Sequence, residues 1–207
     1  MVLSFTNTGW FMIRNTKASF GLVSIAFHWV MAALFLVQFW IGLTFESEPD
    51  ALSKATLLHR HVSIGFAILG LWVARGIWKL LNARPVLPPS LVRGEARAAR
   101  MSHAALFWLL GVTPLAGWLV LSASGRAAGF MILGQIAVPA LPVSESAISS
   151  GIWTTAHAFL AYLLLALSGV HALAALRHQF TLKDGLLKRM ILPGSRLIER
   201  SGGHDQT

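Results

Sequence analysis

Residues 157–171 read HAFLAYLLLALSGVH, an almost wholly apolar run with a histidine at each end. It lies inside a longer stretch, 146–176, that holds no Asp, Glu, Lys or Arg. A bilayer core about 30 Å thick needs about 20 apolar residues of helix, so this stretch is long enough to cross it. Two other windows, 18–45 and 101–125, are equally free of charge. A fourth, 61–74, lies between Arg60 and Arg75 and is short. It reaches spanning length if Arg75 and Lys79 extend their charged heads toward the interface. The chain is 55% hydrophobic and 12% charged, with a mean hydropathy of +0.64, outside the range of soluble globular domains. A soluble protein of 207 residues could not bury four such helices. The expected fold class is therefore all-α, an integral membrane four-helix up-down bundle, with helices near 21–43, 58–80, 101–123 and 153–176.

The distribution of charge sets the expected orientation. Arg14 and Lys17 precede the first window, and Arg84, Arg93, Arg97 and Arg100 separate the second from the third. Arg177, Lys183, Lys188, Arg189, Arg196 and Arg200 follow the last. The other two connections are poorer in positive charge: one holds Glu46, Glu48, Asp50, Lys54 and Arg60, the other Arg126 and Glu145. The positive-inside rule then puts both termini and the long middle loop of this multi-pass membrane protein in the cytoplasm. The expected organisation is a cytoplasmic segment 1–20, a four-helix membrane domain 21–176 and a basic cytoplasmic tail 177–207. The net charge of +9 does not mark a nucleic-acid partner, because no basic face is interleaved with exposed aromatics. The first apolar window is too long for a signal-peptide core, which points to its retention.

One stretch competes with a count of four. Residues 127–144, AAGFMILGQIAVPALPVS, are uncharged and apolar, but Gly129, Gly134, Pro139 and Pro142 interrupt them. A fifth crossing would also carry one basic terminus outside, so a loop along the outer interface is expected. Arg84-Pro85 and Pro88-Pro89 likewise end the second helix before the third begins.

No cysteine is present, which excludes disulfides, thiolate metal sites, iron–sulfur clusters and covalent haem attachment. Eight histidines remain: His28, His59, His61, His103, His157, His171, His178 and His204. An ionisable side chain inside a membrane helix is costly and by default faces the bundle interior at a functional site. At about 100° per residue, fourteen residues bring a helix within about 40° of four full turns. His157 and His171 thus share a face, roughly 21 Å apart along the axis. In an up-down bundle His61 shares the depth of His157, and His28 that of His171. Two neutral imidazoles facing across a bundle core suit the axial positions of a haem iron. Ser24, Ala32, Gly65, Ala161, Ala174 and Ala175 near them are small, although small residues favour close helix packing in any case. Arg75 lies fourteen residues after His61 and is a candidate partner for a haem propionate; snorkelling accounts for it equally well. His59 points away from His61, His103 suits a solvated or propionate-binding role, His178 follows Arg177 at the last helix exit, and His204 is in a polar tail.

Four segments resemble the bacterial cytochrome b561 family: IAFHW at 25–29, RHVSIG at 60–65, HAFLAYLLLALSGVH with the following AALRHQF, and LKDGLLKRM at 182–190. The resemblance runs over roughly residues 18–193. It implies two non-covalent b haems with His28, His61, His157 and His171 as iron ligands. It further implies electron exchange with membrane ubiquinone and, as in some members, oxidation of superoxide at the outer surface. The expected partners are then membrane lipid, quinone and superoxide. Two other readings stay open on the residues themselves: a cytochrome b subunit anchoring a larger dehydrogenase or hydrogenase, and a haem-free transporter in which histidines relay protons or bind metal.

Overall fold

The computed structural model describes residues 13–86, 93–132, 134–193 and 195. His204, Arg196, Arg200 and the Pro88-Pro89 pair lie outside the described residues. Four long helices, each apolar enough to cross a membrane, make up most of the molecule. They are α1 (Leu22–Ser47), α2 (Ala51–Leu81), α3 (Arg93–Ala123) and α4 (Ala147–Arg177). Each runs antiparallel to the next, as the up-down reading of the sequence requires, and α1–α2, α2–α3 and α3–α4 are the closely packed pairs. Large apolar side chains such as Leu36, Trp40, Phe159 and Leu173 point outward. That is the arrangement of helices bathed in lipid, where the backbone bonds itself internally and apolar faces need no protein cover.

Helices α2 and α3 begin well before their apolar windows, and α4 begins at Ala147, ahead of the expected start near 153. Hydropathy locates only the part that needs a hydrocarbon solvent, whereas a helical ladder continues through charged residues until something caps it. The first turns of α2 reach back past Lys54 to Asp50, whose carboxylate accepts from the Ser53 amide at 2.7 Å. These bonds hold the Asp50 carboxyl below its usual pKa range. The Ser146 hydroxyl caps α4 in the same way, accepting from the Ser149 amide at 3.1 Å. At its other end α4 runs on into one π-helical turn, His178–Leu182, which closes at Lys183 with a left-handed φ of 51°.

Residues 127–144 do not form a span. After a single 3-10 turn, Ala127–Gly129, they fold into a short antiparallel hairpin of β1 (Met131–Ile132) and β2 (Ile136–Ala137). This is a small departure from a purely helical chain. The hairpin end of the bundle is closed by Val62, Leu121, Ala127, Phe130 and Val138, packed with Leu58, Phe66, Trp118 and Ile132. Polar stitches hold it: the Trp118 indole donates to the Pro139 carbonyl at 2.7 Å, and the buried Ser122 hydroxyl accepts from the Leu141 amide at 3.0 Å.

At the opposite end three separate segments are tied together. Asn15 donates to the Ala83 carbonyl, the Val86 amide to Lys17, and the Trp29 indole to Met190. Arg189, only 2% exposed, donates to the carbonyls of Val86 and Ala18 and lies over the Phe20 ring. Burial lowers its pKa from the ordinary arginine value. The part of the basic tail that is described is therefore a folded cap rather than a solvated strand.

Trp72 lies against the backbone of Gly111 where α2 meets α3, and its indole donates to the Phe107 carbonyl at 2.8 Å. A Cβ at residue 111 would overlap that ring. Gly111→Val should therefore force the two helices apart. The expected cost is about 1–3 kcal/mol, the usual range for overpacking, read as a lower Tm in detergent micelles.

Candidate functional site

The spacing that relates His157 to His171 recurs on every helix. Fourteen residues separate His28 from Gly42 on α1, His61 from Arg75 on α2 and His103 from Gly117 on α3. Because successive helices run in opposite directions, these positions collect into two layers. Gly42, His61, Gly117 and His157 belong to the hairpin end, and His28, Arg75, His103 and His171 to the end where the termini lie.

At the hairpin end the His61 and His157 rings face each other with centroids 6.0 Å apart and planes at 85°. His157 has a defined tautomer. Its Nδ1 is 2.9 Å from the Thr113 carbonyl oxygen, which can only accept, so Nδ1 carries the hydrogen and Nε2 keeps a free lone pair. His61 is held through its backbone: the Gln38 amide donates to the His61 carbonyl at 2.7 Å. Gly65 leaves the passage for that amide, since a Cβ there would lie 3.3 Å from Gln38 Nε2. His61 Nδ1 and Gln38 Oε1 are buried and have no hydrogen-bond partner among the described residues. Phe45 covers His61 with ring centroids 5.7 Å apart.

At the other end His28 and His171 face each other across the bundle, centroids 6.3 Å apart and planes at 68°. His103 joins them, its ring centroid 5.0 Å from that of His171. It is thus part of this cluster and lies in the body of α3 rather than at its start, although it remains exposed. Arg75 is a charge neighbour of both His28 and His103, and the described contact of its guanidinium is the Met31 sulfur at 3.8 Å. The ion pairs among the described residues, Arg177 with Glu95 and His178 with Asp184, do not involve it. A half-buried guanidinium with no carboxylate partner among the described residues is costly, so Arg75 is suited to an added anionic group.

The remaining histidines stand apart from both layers. His59 stacks at 4.5 Å against Phe130 beneath the hairpin loop. His178 lies 2.6 Å from Asp184 in the π-helical turn after α4. Four participants escaped sequence reasoning: Gly42, Gly117, Gln38 and the Thr113 carbonyl. The two glycines carried a legible signal, the same fourteen-residue spacing from a histidine. Gln38 stood out as an uncharged polar residue in mid-span. Nothing in the sequence marks one backbone carbonyl among many.

Between α1 and α4 the contacts are made by side chains, His28 with His171 and Phe39 with Tyr162, rather than by close backbone packing.

Comparison with known proteins agrees with this architecture. The chain is 32% identical over 180 residues to cytochrome b561 homolog 2 of Escherichia coli (strain K12), covering 86% of this chain and 93% of that protein. It is 27% identical over 177 residues to the probable superoxide oxidase CybB of Yersinia pestis, covering 83% and 95%. It is 29% identical over 179 residues to cytochrome b562 of Cereibacter sphaeroides, covering 83% and 94%. The family model described as prokaryotic cytochrome b561 matches residues 19–193, nearly the whole of the described bundle, and the chain accordingly belongs to the prokaryotic cytochrome b561 family of membrane cytochromes.

Proposed function

We propose that this chain is a membrane oxidoreductase that holds two non-covalent b haems and carries electrons between a donor at the outer surface and ubiquinone. His61 and His157 would hold one haem and His28 and His171 the other. The observation that carries this reading is the pair of facing imidazoles near each end of the bundle, 6.0 and 6.3 Å between centroids. Imidazole nitrogens bind metals at about 2 Å, so rings this close would be able to share one iron. The donor set also fits: His157 presents a free Nε2, and His61 Nδ1 is a buried nitrogen lacking a partner among the described residues. When bound, haem supplies one-electron iron chemistry that no side chain of this protein can provide.

The residues divide the remaining work. The four histidines fix ligation, the apolar side chains around them exclude water, and Arg75 at the terminal end offers charge to a propionate. Lys54, Arg60 and Arg126 lie at the hairpin end, where their positive field would draw a small anion such as superoxide. Lys54 reaches the Glu46 carbonyl and Arg126 the Ser124 hydroxyl, while Arg60 forms no ion pair among the described residues. The balance of the reaction is simple. Two superoxide anions each lose one electron and leave as dioxygen; one ubiquinone takes both electrons and two protons and becomes ubiquinol. The name borne by the Yersinia pestis relative supports superoxide as the donor, and the basic loops at the terminal end support a cytoplasmic location for that end.

The orientation is tested by reporter fusions. Those at Gly94 and at the C-terminus should read cytoplasmic, and one beside Asp50 extracytoplasmic.

The haem assignment is tested by colour and by mutation. Dithionite-reduced protein should show b-haem bands corresponding to two haems per chain. His28→Ala and His171→Ala should each remove the same haem, with little further loss when combined, because both act on one site. His61→Ala and His157→Ala should remove the other. A colourless protein would favour the histidine-relay reading.

Rapid mixing of oxidised protein with superoxide tests the donor. Fast haem reduction, slowed by salt and by Arg60→Glu, is expected. Reduction no faster than that of free haem would point instead to a subunit or quinol-oxidising role.

A further inference from the structure

The two layers of the bundle differ in what accompanies their histidines. At the terminal end the positions in register with His28 and His171 are Arg75 and His103, both large and polar. At the hairpin end they are Gly42 and Gly117. These glycines are not loop or turn residues; each lies inside a membrane helix and has no backbone need for φ > 0. What each has instead is an imidazole pressed against it. A Cβ on Gly117 would stand 3.1 Å from Cε1, 3.3 Å from Nδ1 and 3.7 Å from Nε2 of His157. A Cβ on Gly42 would stand 3.2 Å from Cε1 and 3.6 Å from Nδ1 of His61. No other described helical glycine has an imidazole against it: Gly111, Gly65 and Gly76 meet Trp72, Gln38 and Phe107, and around Gly70 on α2, and around Gly151 and Gly169 on α4, nothing lies within 4 Å.

The contact at Gly117 is tied to a hydrogen bond. Thr113 and Gly117 are four residues apart and so lie on one face of α3. The Thr113 carbonyl takes the Nδ1 hydrogen of His157 at 2.9 Å while the ring lies over Gly117. The ring cannot retreat from a methyl group at residue 117 without lengthening or bending that bond. A hydrogen bond from the distal nitrogen of a metal-bound imidazole fixes its tautomer and raises its basicity, which favours the oxidised metal. The same reasoning does not apply to the terminal layer, where the described rings of His28 and His171 meet other side chains rather than a glycine backbone.

Resting on the haem assignment proposed above, we infer that Gly117 with the Thr113 carbonyl, and Gly42 opposite, are paired positioning sockets for the hairpin-end imidazoles. They set the ring orientation of His157 and His61, and through the Thr113 bond the reduction potential of the haem those two histidines hold. Gly117 and Gly42 are positioning residues; neither touches the reacting atoms.

The test compares full-length Gly117→Ala, Gly117→Val and Gly42→Ala with the controls Gly70→Ala and Gly169→Ala, all purified in detergent. Haem content, the midpoint potential of each haem by redox titration, and the low-spin ferric electron paramagnetic resonance signals are read. In Gly117→Ala both haems should be present, with one midpoint raised and its ferric signal shifted while the other haem is unchanged. Gly117→Val should lose one haem of the two. Gly42→Ala should shift the signal of that same haem, and the controls should match the parent. The haem held by His28 and His171 reports whether each variant has folded. Glycine variants indistinguishable from the controls would overturn the sockets while leaving the haem assignment intact, as would equal disturbance of both haems, the mark of a general packing defect. A parent chain without haem would overturn the assignment itself and the sockets with it.

Discussion

Fourteen residues of α-helix come back to nearly the same face about four turns further on, and this bundle is organised by that period. In a lipid-bathed helix the face toward the bundle axis is scarce, because the outer faces must be apolar. Groups that need burial in protein are confined to one stripe, and along it to depths that neighbouring helices share. The pairs His28/Gly42, His61/Arg75, His103/Gly117 and His157/His171 all obey the same interval. Antiparallel packing then converts four one-dimensional spacings into two layers, each with one candidate imidazole pair.

The layers are unequal in a way that follows from their surroundings. The hairpin-end layer pairs two imidazoles with two glycines and satisfies His157 through a backbone carbonyl. The terminal layer carries three imidazoles and a guanidinium. It therefore suits an anion that the described residues do not supply. A neighbouring solution to the same problem is visible at Arg189. That guanidinium is buried beyond the helices and donates to the Val86 and Ala18 carbonyls instead of to a carboxylate. It thereby ties the loop after α2 and the segment before α1 to the segment after α4.

The two ends are closed by different means. Apolar packing of the hairpin segment onto α2 and α3 seals one end, with Ser122 and Trp118 satisfying the loop backbone. At the other end the seal is a set of hydrogen bonds among three chain segments distant in sequence, with Trp29 reaching Met190 across 161 positions. Both seals matter to a redox centre for the same reason: water near a buried ligand raises the local dielectric and changes every electrostatic interaction there.

The amino-acid sequence by itself determined the number of spans, their alternation and the shared depths of His28 with His171 and of His61 with His157. These follow from local quantities: the length of an uncharged run, the period of a helix and the breaks at proline and glycine. The true helix ends were less legible, because Asp50 and Ser146 cap helices that run on through polar residues where hydropathy is silent. So was the region 127–144, whose composition alone allowed either a span or a loop; its folding onto Val62 and Leu121 is a tertiary fact. Only the tertiary structure brought His103 to 5.0 Å from His171, turned the Thr113 carbonyl toward His157 and pressed two imidazoles onto Gly42 and Gly117. Those are contacts between helices, and they depend on how each helix is rotated about its axis and how closely it approaches its neighbour. A period along one chain fixes the face a residue occupies, but the partner on that face is decided by packing.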